Sequence, residues 1–316
     1  MKILDRRAKI FVAGHRGMVG AALCRQLEQA GYDNVLTRTR SELPLTDQAA
    51  VDAFLDAERP DYMFIAAAKV GGIHANNTYR ADFLYENLMI AANLIHGAHR
   101  HGIDRLMFLG SSCIYPRDCP QPIREDYLLQ GPLEQTNEPY ALAKIAGVKL
   151  CEAYNAQYGR RYVSVMPTNL YGPGDNYDLQ NSHVLPALLR KAVEAKQAGA
   201  SGLTVWGSGQ PRREFLFVED LADACVHLME RGYTGGPVNV GVGEDMTIRD
   251  LAREIMDVVG LDADLILDPS RPDGTPRKLL DVSKIKSLGW SAKTGLREGL
   301  EMTLRDYLAK ARAPKG

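Results

Sequence analysis

The chain has 316 residues, of which 45% are hydrophobic and 24% charged, and its formal net charge is -1. This length suits one large or two modest domains with an ordinary globular composition. The balanced charge gives no basic excess for nucleic acid or an anionic membrane, and no apolar run approaches the roughly 20 residues that span a bilayer, so we expect neither as a partner.

The cysteine pattern bears on metal binding and on redox compartment. The five cysteines are scattered and include no C-x-x-C pair, so we expect neither a metal site nor a disulfide framework. Charged residues interrupt the N-terminal segment, which argues against a secretory signal. Both features favour a reducing, cytoplasmic setting.

The first predicted unit is a strand, a glycine-rich turn and a helix. The strand covers 9–13 and the amphipathic helix covers 21–30. Between them, Gly14 allows a tight turn, Gly17 lets the backbone approach a diphosphate, and Gly20 lets the helix pack on the strand. Because a helix N-terminus carries free N–H groups and a positive dipole end, this context indicates a dinucleotide site.

The end of the second predicted strand indicates which dinucleotide is bound. The strand covers Asn34–Thr37 and is followed by Arg38 and Arg40. An NAD enzyme often has an acidic residue there for the ribose 2′-hydroxyl, whereas arginines suit a 2′-phosphate. The sequence therefore favours NADP(H), the alternative being that both arginines are solvated surface charges.

The next elements continue the alternation of strands and helices. We predict a strand over Asp61–Ala68, a helix over Ala81–His101 and a buried strand over Leu106–Leu109. Four strand–helix units thus precede Tyr140, which predicts an α/β fold with a doubly wound parallel sheet of the Rossmann type. The long helices 81–101 and 140–158 could pair across a two-fold axis in a homodimer.

Polar residues just beyond the fourth strand are the first candidates for catalysis. Ser111 and Cys113 follow it at the sheet edge where ligands bind in open α/β sheets. Pro139 can open a helix that places Tyr140 and Lys144 on one face, one turn apart. A lysine ammonium there should lower the pKa of the tyrosine toward neutrality, so that the phenol exchanges a proton with a carbonyl oxygen. The alternative is a solvated aromatic–lysine pair of the kind that chance spacing gives.

The remainder of the chain breaks the alternation. After a strand over Arg161–Met166 it becomes loop-rich, and Phe215–Val218 is interpreted as a return to the sheet. A helix over Met246–Val259 should begin near Thr247 as its N-cap, with Asp250 at the third helical position. We predict a Rossmann domain of residues 1–169, with 214–241 and about 276–289 returning to it, and a smaller C-terminal substrate domain of 170–213, 242–275 and 290–316.

The glycine triplet, the serine after the fourth strand and the Tyr-x-x-x-Lys pair together resemble the extended short-chain dehydrogenase/reductase family. Longer motifs spread over essentially the whole chain resemble, within it, the GDP-L-fucose synthase family. These motifs are Gly14–Gly20, Gly110–Pro116, Asn137–Tyr140, Pro167–Pro173, Asn181–His183, Val205–Gly209 and Pro272–Lys278.

The resemblance implies a fold, an assembly and a reaction. The fold is a Rossmann domain with a smaller C-terminal substrate domain, usually in a homodimer. The reaction converts GDP-4-keto-6-deoxy-D-mannose to GDP-L-fucose with NADPH, through epimerisation at C3 and C5 and then reduction at C4. A 4-ketone acidifies both flanking C–H bonds, so a thiolate at Cys113 is a plausible base and His183 a plausible acid. Tyr140 would protonate the C4 oxygen, Ser111 would orient it, and Lys144 would also hold the nicotinamide ribose.

The resemblance also implies the binding residues. The cofactor set is Gly14, His15, Arg16, Gly17, Met18, Val19, Gly20, Arg38, Arg40, Leu109, Gly110, Ser111, Ser112, Lys144, Pro167, Thr168, Asn169, Leu170 and His183. The residues expected around the GDP-sugar are Lys191, Trp206, Arg213 and Asp273. Position 191 holds lysine where the family pattern suggests arginine, which disfavours a bidentate phosphate contact there.

Several other functions compete with this interpretation. A sugar-nucleotide 4,6-dehydratase should carry a carboxylate after the fourth strand, where this chain has Ser111-Ser112-Cys113. A 4-epimerase would retain NAD, which disagrees with the two arginines. In a simple 4-reductase, Cys113 and His183 would have structural roles. This alternative agrees with the general behaviour of these residues, because a free cysteine is more often a small buried thiol and a lone histidine is more often structural. A non-catalytic NADP-sensing module would not need Ser111, Tyr140 and Lys144 together.

Overall fold

The computed structural model describes residues 5–179, 181–270 and 273–312. Pro272 of the last sequence motif lies outside the described residues, as do 271 and 313–316 of the predicted substrate domain. Among the described residues, no helix is both long and apolar enough to cross a bilayer.

The strands are short, as is usual in α/β proteins. In chain order they are β1 (Ile10–Ala13), β2 (Val35–Leu36), β3 (Tyr62–Ile65), β4 (Arg105–Leu109), β5 (Arg161–Pro167), β6 (Asn169–Tyr171), β7 (Gly202–Trp206), β8 (Arg212–Arg213), β9 (Phe215–Phe217), β10 (Val238–Val240), β11 (Met246–Thr247), β12 (Asp264–Asp268) and β13 (Arg277–Lys278).

The helices differ widely in length. In chain order they are α1 (Met18–Gln29), α2 (Gln48–Glu58), α3 (Ile73–Thr78), α4 (Arg80–Arg100), α5 (Glu138–Tyr158), α6 (Val184–Gln197), α7 (Val218–Glu230), α8 (Ile248–Val259), α9 (Ser283–Ser287) and α10 (Leu296–Arg312). Short 3-10 turns cover Ser112–Ile114 and Glu125–Tyr127.

The described residues form a central sheet of six strands in the order β2-β1-β3-β4-β5-β10. Every neighbouring pair in it is parallel. The strands β1, β3 and β5 are buried almost throughout, which explains their continuous apolar runs. The predicted doubly wound Rossmann sheet is confirmed, and the direction of winding changes at β1, where β2 lies on one side and β3 on the other.

Most predicted elements are present with shifted ends. The helix α1 begins at Met18, three residues earlier than predicted, and β3 ends at Ile65, so 66–68 leave the sheet. The helix α5 has proline in its first turn, as predicted. Thr247 caps α8 as predicted, since its hydroxyl accepts a hydrogen bond of 3.0 Å from the Asp250 N–H.

One strand assignment from the sequence is wrong. The segment 215–217 does not return to the six-stranded sheet, because β9 pairs with β6 instead. The sixth strand is β10, whose three residues the sequence analysis did not single out. The misassignment has a physical cause: Phe215 and Phe217 belong to a second apolar cluster while Leu216 belongs to the first, so β9 lies between the two.

The buried apolar side chains form two clusters. The first surrounds the central sheet, and its members from the C-terminal part include Leu280 and Trp290. The second is built from α6, α8 and the strands around them, with Leu189, Leu251 and Leu300 fully buried. The predicted domain boundaries stay a prediction.

Candidate active site

The glycine-rich turn after β1 is closed by backbone contacts that exclude side chains. Gly14 has φ of +90°, and a Cβ there would lie 2.7 Å from the backbone of Ala67, just beyond β3. A Cβ on Gly20 would lie 2.1 Å from the Gly14 oxygen. Gly17 is the N-cap of α1 and leaves its first N–H groups without a side-chain cap. This cradle at the winding change of the sheet fits the diphosphate of a dinucleotide.

The other predicted residues of the turn lie in or directly beside this cradle. His15 has a buried Nδ1 without a hydrogen-bond partner among the described residues. Arg16 is exposed beside it, and Met18 and Val19 form the first turn of α1. A buried polar nitrogen normally has a partner, so His15 is a candidate contact for a bound dinucleotide.

The two arginines after β2 differ in how they are engaged. The Arg38 guanidinium donates 2.8 Å hydrogen bonds to Glu58 and to the Thr37 carbonyl, and it stacks 5.4 Å from the centre of the Phe54 ring. Arg40 has an 86% exposed side chain and one 3.4 Å contact to Glu86. Of the two, Arg40 is therefore the one with donors available for a phosphate.

The serine–cysteine turn lies at the carboxyl end of β4. Leu109 ends the strand, and the Gly110 N–H donates to the Val165 carbonyl at 2.8 Å. The Ser111 hydroxyl then accepts a 3.1 Å hydrogen bond from the Cys113 N–H, which caps the short 3-10 turn that contains a buried Ser112. This turn holds the Cys113 thiol, which is half-buried, at the edge of the sheet.

The helix α5 brings Tyr140 and Lys144 to the same edge. It packs closely on β4 because Gly147 has no side chain, and a Cβ there would lie 2.4 Å from the Phe108 ring. Lys144 is buried, and its ammonium donates a 2.6 Å hydrogen bond to the Leu109 carbonyl. It lies 5.8 Å from the centre of the Tyr140 ring, so the predicted pairing on one helix face is present.

The predicted lowering of the tyrosine pKa is wrong. The pKa of Tyr140 lies above its ordinary value, because burial disfavours the phenolate and negative charge on Cys113 adds to this, while a hydrogen bond from Ser111 offsets part of it. Burial also lowers the pKa of Lys144, to about 7. The sequence could not show that the fold encloses both groups, and this enclosure keeps the Tyr140 phenol protonated.

Cys113 is surrounded by donors from three parts of the chain. The Asn137 amide donates to its sulfur at 3.4 Å, from the N-terminus of α5. The Lys278 ammonium approaches the sulfur at 3.6 Å from β13. Arg213, in β8, also interacts electrostatically with Cys113. Two of these three groups are cations, so the sulfur lies in a positively charged environment.

His183 is the N-cap residue of α6, and the residue as a whole is exposed. Even so, the surrounding protein limits hydration of an imidazolium, and Lys278 adds positive charge, so the pKa of His183 lies below its ordinary value. The segment before it is fixed by a backbone contact, because the Gly72 N–H donates a 2.7 Å hydrogen bond to the Asn181 carbonyl. A Cβ on Gly72 would lie 2.5 Å from the Ser182 carbonyl oxygen, so the close approach requires glycine.

The four residues predicted to surround a nucleotide sugar lie along one route toward Cys113. The Lys191 ammonium stacks 4.6 Å from the centre of the exposed Trp206 ring. The Asp273 carboxylate accepts hydrogen bonds from the Ser208 N–H at 2.9 Å and hydroxyl at 2.6 Å. Arg213, which interacts electrostatically with Cys113, donates a hydrogen bond of 2.6 Å to the Thr275 carbonyl. The loop after Asp273 therefore extends from the neighbourhood of Trp206 to that of Cys113.

A buried carboxylate joins the segment 167–170 to the rest of the site. The Glu214 carboxylate accepts hydrogen bonds from the N–H groups of Gly243 at 2.7 Å and Leu280 at 3.0 Å. The backbone carbonyl of Glu214 accepts hydrogen bonds from the Thr168 hydroxyl at 3.3 Å and from the Asn169 side-chain amide at 2.8 Å. Pro167 lies opposite Val240 in the sheet and Leu170 lies in β6. Glu214 thereby connects the backbone just before β11 with the backbone just after β13, the strand of Lys278.

Sequence reasoning gave no role to Asn137, Lys278 or Glu214. Asn137 and Lys278 fall inside recognisable motifs, but their contacts with Cys113 depend on the fold. Asn137 is 24 residues from Cys113 in the chain, and Lys278 is 165 residues from it. Glu214 could have been suspected as an acidic residue that directly precedes the apolar run 215–218. Among the described residues, no group of three or more His, Cys, Asp and Glu side chains is placed to hold a metal ion.

The arrangement defines a class of protein. A glycine-rich cradle and a Ser–Tyr–Lys group lie at the carboxyl edge of the sheet, and the Cys113 thiol and the His183 imidazole are both close enough to Lys278 to be influenced by its charge. This arrangement is suited to redox and proton-transfer chemistry next to a carbonyl. A family model described as the NAD dependent epimerase/dehydratase family matches residues 10–241. The chain belongs to that family.

Comparison with individual proteins shows which members of this family the chain resembles. The chain is 57% identical to GDP-L-fucose synthase 1 of Arabidopsis thaliana, over 96% of this chain and 94% of that protein. It is 55% identical to the GDP-L-fucose synthase of Escherichia coli strain K12, over 96% and 97%. A solved structure described as MlghC, GDP-mannoheptose C4 reductase from Campylobacter jejuni with NADP bound, is 36% identical with a TM-score of 0.87, covering 96% of this chain and 99% of that one. Within its family the chain groups with the GDP-L-fucose synthases, which confirms the resemblance of its motifs.

Proposed function

We propose that this chain converts GDP-4-keto-6-deoxy-D-mannose to GDP-L-fucose with NADPH, by epimerisation at C3 and C5 and reduction at C4. The observation that supports this proposal most strongly is that the Ser111–Tyr140–Lys144 group and the Cys113 thiol lie together at the carboxyl end of β4. A reductase requires only the first group, so a thiol held among cationic donors supports a second, proton-transfer step. The near full-length identity to GDP-L-fucose synthases supports the same substrate.

The epimerisation part uses proton transfers beside the ketone. In the proposal, Cys113 removes the proton at the carbon next to the C4 carbonyl, and His183 returns a proton on the other face. Asn137 and Lys278 hold the sulfur in place for the first step. Since the pKa of His183 is lowered, its cationic form is the minor form at neutral pH, and that form gives up its proton readily.

The reduction part uses the raised pKa of Tyr140. Bound NADPH supplies the two electrons and the hydrogen for C4. Because Tyr140 holds its proton, it is the donor for the C4 oxygen, and Ser111 hydrogen-bonds it and orients that oxygen. Lys144, anchored on the Leu109 carbonyl, is placed between the phenol and the strand end, where the nicotinamide ribose would lie.

The direct test of this function is a product analysis. Purified protein with NADPH and GDP-4-keto-6-deoxy-D-mannose should consume NADPH and yield GDP-L-fucose, identified by chromatography and NMR. Without the keto-sugar, NADPH should persist, which separates an enzyme from a sensing module. Failure to consume NADPH with this substrate would contradict the proposal.

A simple C4 reductase is the second candidate. It is favoured by the likeness to the Campylobacter jejuni C4 reductase, which spans nearly the whole chain. Such an enzyme would give a GDP-6-deoxyhexose with unchanged C3 and C5 configuration. The stereochemistry of the product therefore distinguishes the epimerase-reductase from the simple reductase. In the simple reductase, Cys113 and His183 would be structural.

NADP selection should depend on Arg40 more than on Arg38. Replacing Arg40 with alanine removes donors available for a 2′-phosphate, so we expect the KM for NADPH to rise by about tenfold to a hundredfold, with little change for NADH. Arg38→Ala is the matched control, because its guanidinium is already engaged by Glu58 and the Thr37 carbonyl. The measurement is steady-state kinetics with both cofactors; an unchanged NADPH KM in the Arg40 variant would contradict the assignment.

We also propose a homodimer formed through α4 and α5. These helices pack against each other and expose Tyr85, Leu88 and Leu142, an apolar face suited to a second copy. Leu142→Glu should convert the dimer to a monomer, measured by light scattering at matched concentration. Ile266→Glu, at an equally exposed apolar position in β12, should remain a dimer. A monomeric wild-type protein would contradict this.

The two apolar clusters support the proposed division into a cofactor domain and a substrate domain, with β9 between them. A cytoplasmic location is proposed as well, because all five cysteines are free thiols. Thiol titration of the protein as isolated should therefore give five reactive groups after unfolding, and a disulfide would contradict the reducing compartment.

A further inference from the structure

We infer that Lys278 is a positioning residue for Cys113, whose ammonium stabilises the thiolate in which the sulfur removes a proton from the substrate. The inference rests on the proposed function, in which Cys113 is the base. It assigns Lys278 a task in proton transfer, distinct from contact with the charged part of a nucleotide sugar.

The geometry places two cations on one side of the sulfur. Lys278 and Arg213 are register partners in the parallel pairing of β13 with β8. The Lys278 Nζ lies 3.6 Å from Cys113 Sγ. The Arg213 guanidinium interacts with the same sulfur electrostatically, but its hydrogen bonds go to the carbonyls of Arg212 and Thr275. Lys278 is therefore the cation that touches the sulfur directly.

The charge of Lys278 is not neutralised by a neighbour. In the part of the chain that the structure describes, no carboxylate forms an ion pair with it, and its hydrogen bond is to the sulfur. The α5 side of Cys113 carries the uncharged Asn137 amide at 3.4 Å and Tyr140, which holds its proton. The other charged groups that line the same small cavity are already paired: Arg117 with Glu134, and Arg277 with Asp245. An opposite charge this close favours the ionised form of a thiol, and the thiolate is the reactive base.

The same ammonium also acts on His183. Its positive charge contributes to the lowered pKa of that histidine, after the larger effect of the surrounding protein. Lys278 thus favours an anionic Cys113 and a neutral or strongly acidic His183 at once. Removing its charge should make the thiol harder to ionise, which slows proton removal at neutral pH, and should raise the pKa of His183 toward its ordinary value.

The test measures thiolate formation directly. The intact protein is alkylated with iodoacetamide over a range of pH, and modification of Cys113 is followed by peptide mass spectrometry, with half-buried Cys24 as internal reference. In Lys278→Met, alkylation of Cys113 at neutral pH should fall about tenfold or more, and its pH profile should move about one unit or more to the alkaline side. Lys278→Arg should restore most of the rate. Circular dichroism and NADPH binding verify that each variant is folded.

The matched control removes the same charge one residue away. Arg277 lies next to Lys278 in β13, but its guanidinium pairs with Asp245. Arg277→Met should leave the Cys113 alkylation profile unchanged relative to wild type. A profile equally shifted in this variant would show that net charge, not the contact, is responsible, and would overturn the inference.

Two further outcomes separate this inference from the proposed function. If Lys278→Met raises the KM for the GDP-sugar but leaves Cys113 alkylation unchanged, Lys278 is a contact for the diphosphate and the inference is wrong. If the alkylation profile shifts as expected, the inference stands even where Cys113→Ser exchanges substrate protons at the wild-type rate. That last result would remove Cys113 as the base and would overturn only the proposed function.

Discussion

Replacing Tyr140 with phenylalanine should abolish reduction while leaving proton exchange at C3 and C5 in place. The variant lacks the hydroxyl that we propose as the proton donor to the C4 oxygen, and burial keeps this phenol protonated by raising the pKa of Tyr140. General acid catalysis of this kind contributes on the order of a hundredfold to ten-thousandfold, so NADPH oxidation should fall by that factor. Exchange should persist, because Cys113 and His183 remain.

The measurement pairs NADPH oxidation with deuterium uptake by the substrate in deuterium oxide. Tyr158→Phe is the matched control, since it removes a hydroxyl from the exposed far end of the same helix. It should behave as wild type in both assays. Loss of exchange together with reduction in Tyr140→Phe would show that the two steps do not use separate residues.

Cys113→Ser should have the opposite effect and slow exchange strongly. A serine hydroxyl is far less acidic than a thiol, so the anionic base is scarcely formed even beside Lys278. We expect deuterium uptake to fall by about a hundredfold to ten-thousandfold. The reductive group of Ser111, Tyr140 and Lys144 is intact in this variant, so any NADPH consumed should yield a product without inversion at C3 and C5.

Cys119→Ser is the control for this second prediction. Cys119 is also a half-buried free thiol, six residues further along the chain. The control should exchange substrate protons at the wild-type rate. Exchange at that rate in Cys113→Ser as well would remove Cys113 from the mechanism and favour the simple reductase.

Local spacing in the sequence was enough to predict much of the site. The glycine triplet after a predicted strand, and Tyr140 four residues before Lys144 behind a helix-opening proline, are patterns whose geometry depends on neighbouring residues only. The sheet followed from the alternation of elements, since strand–helix–strand units have one preferred winding. These features could therefore be inferred without tertiary contacts.

Features that depend on distant contacts could not be predicted in this way. The three-residue strand β9 is apolar on both faces, and its sequence does not say that its partner is β6. The direction of the Tyr140 pKa shift depends on burial of the phenol by other elements of the fold. The contact of Lys278 with Cys113 joins a C-terminal strand to the edge of the central sheet, and the family motifs gave both positions without their pairing.

The most direct test of the account is incubation with GDP-4-keto-6-deoxy-D-mannose in deuterium oxide, with and without NADPH, read by mass spectrometry. The account predicts two deuterons bound to carbon in the sugar, at C3 and C5, and GDP-L-fucose as the product when NADPH is present. Without NADPH, both positions should still exchange. A reduced sugar with no deuterium at C3 or C5 would contradict the account, because it would show a 4-reductase in which Cys113 and His183 transfer no protons.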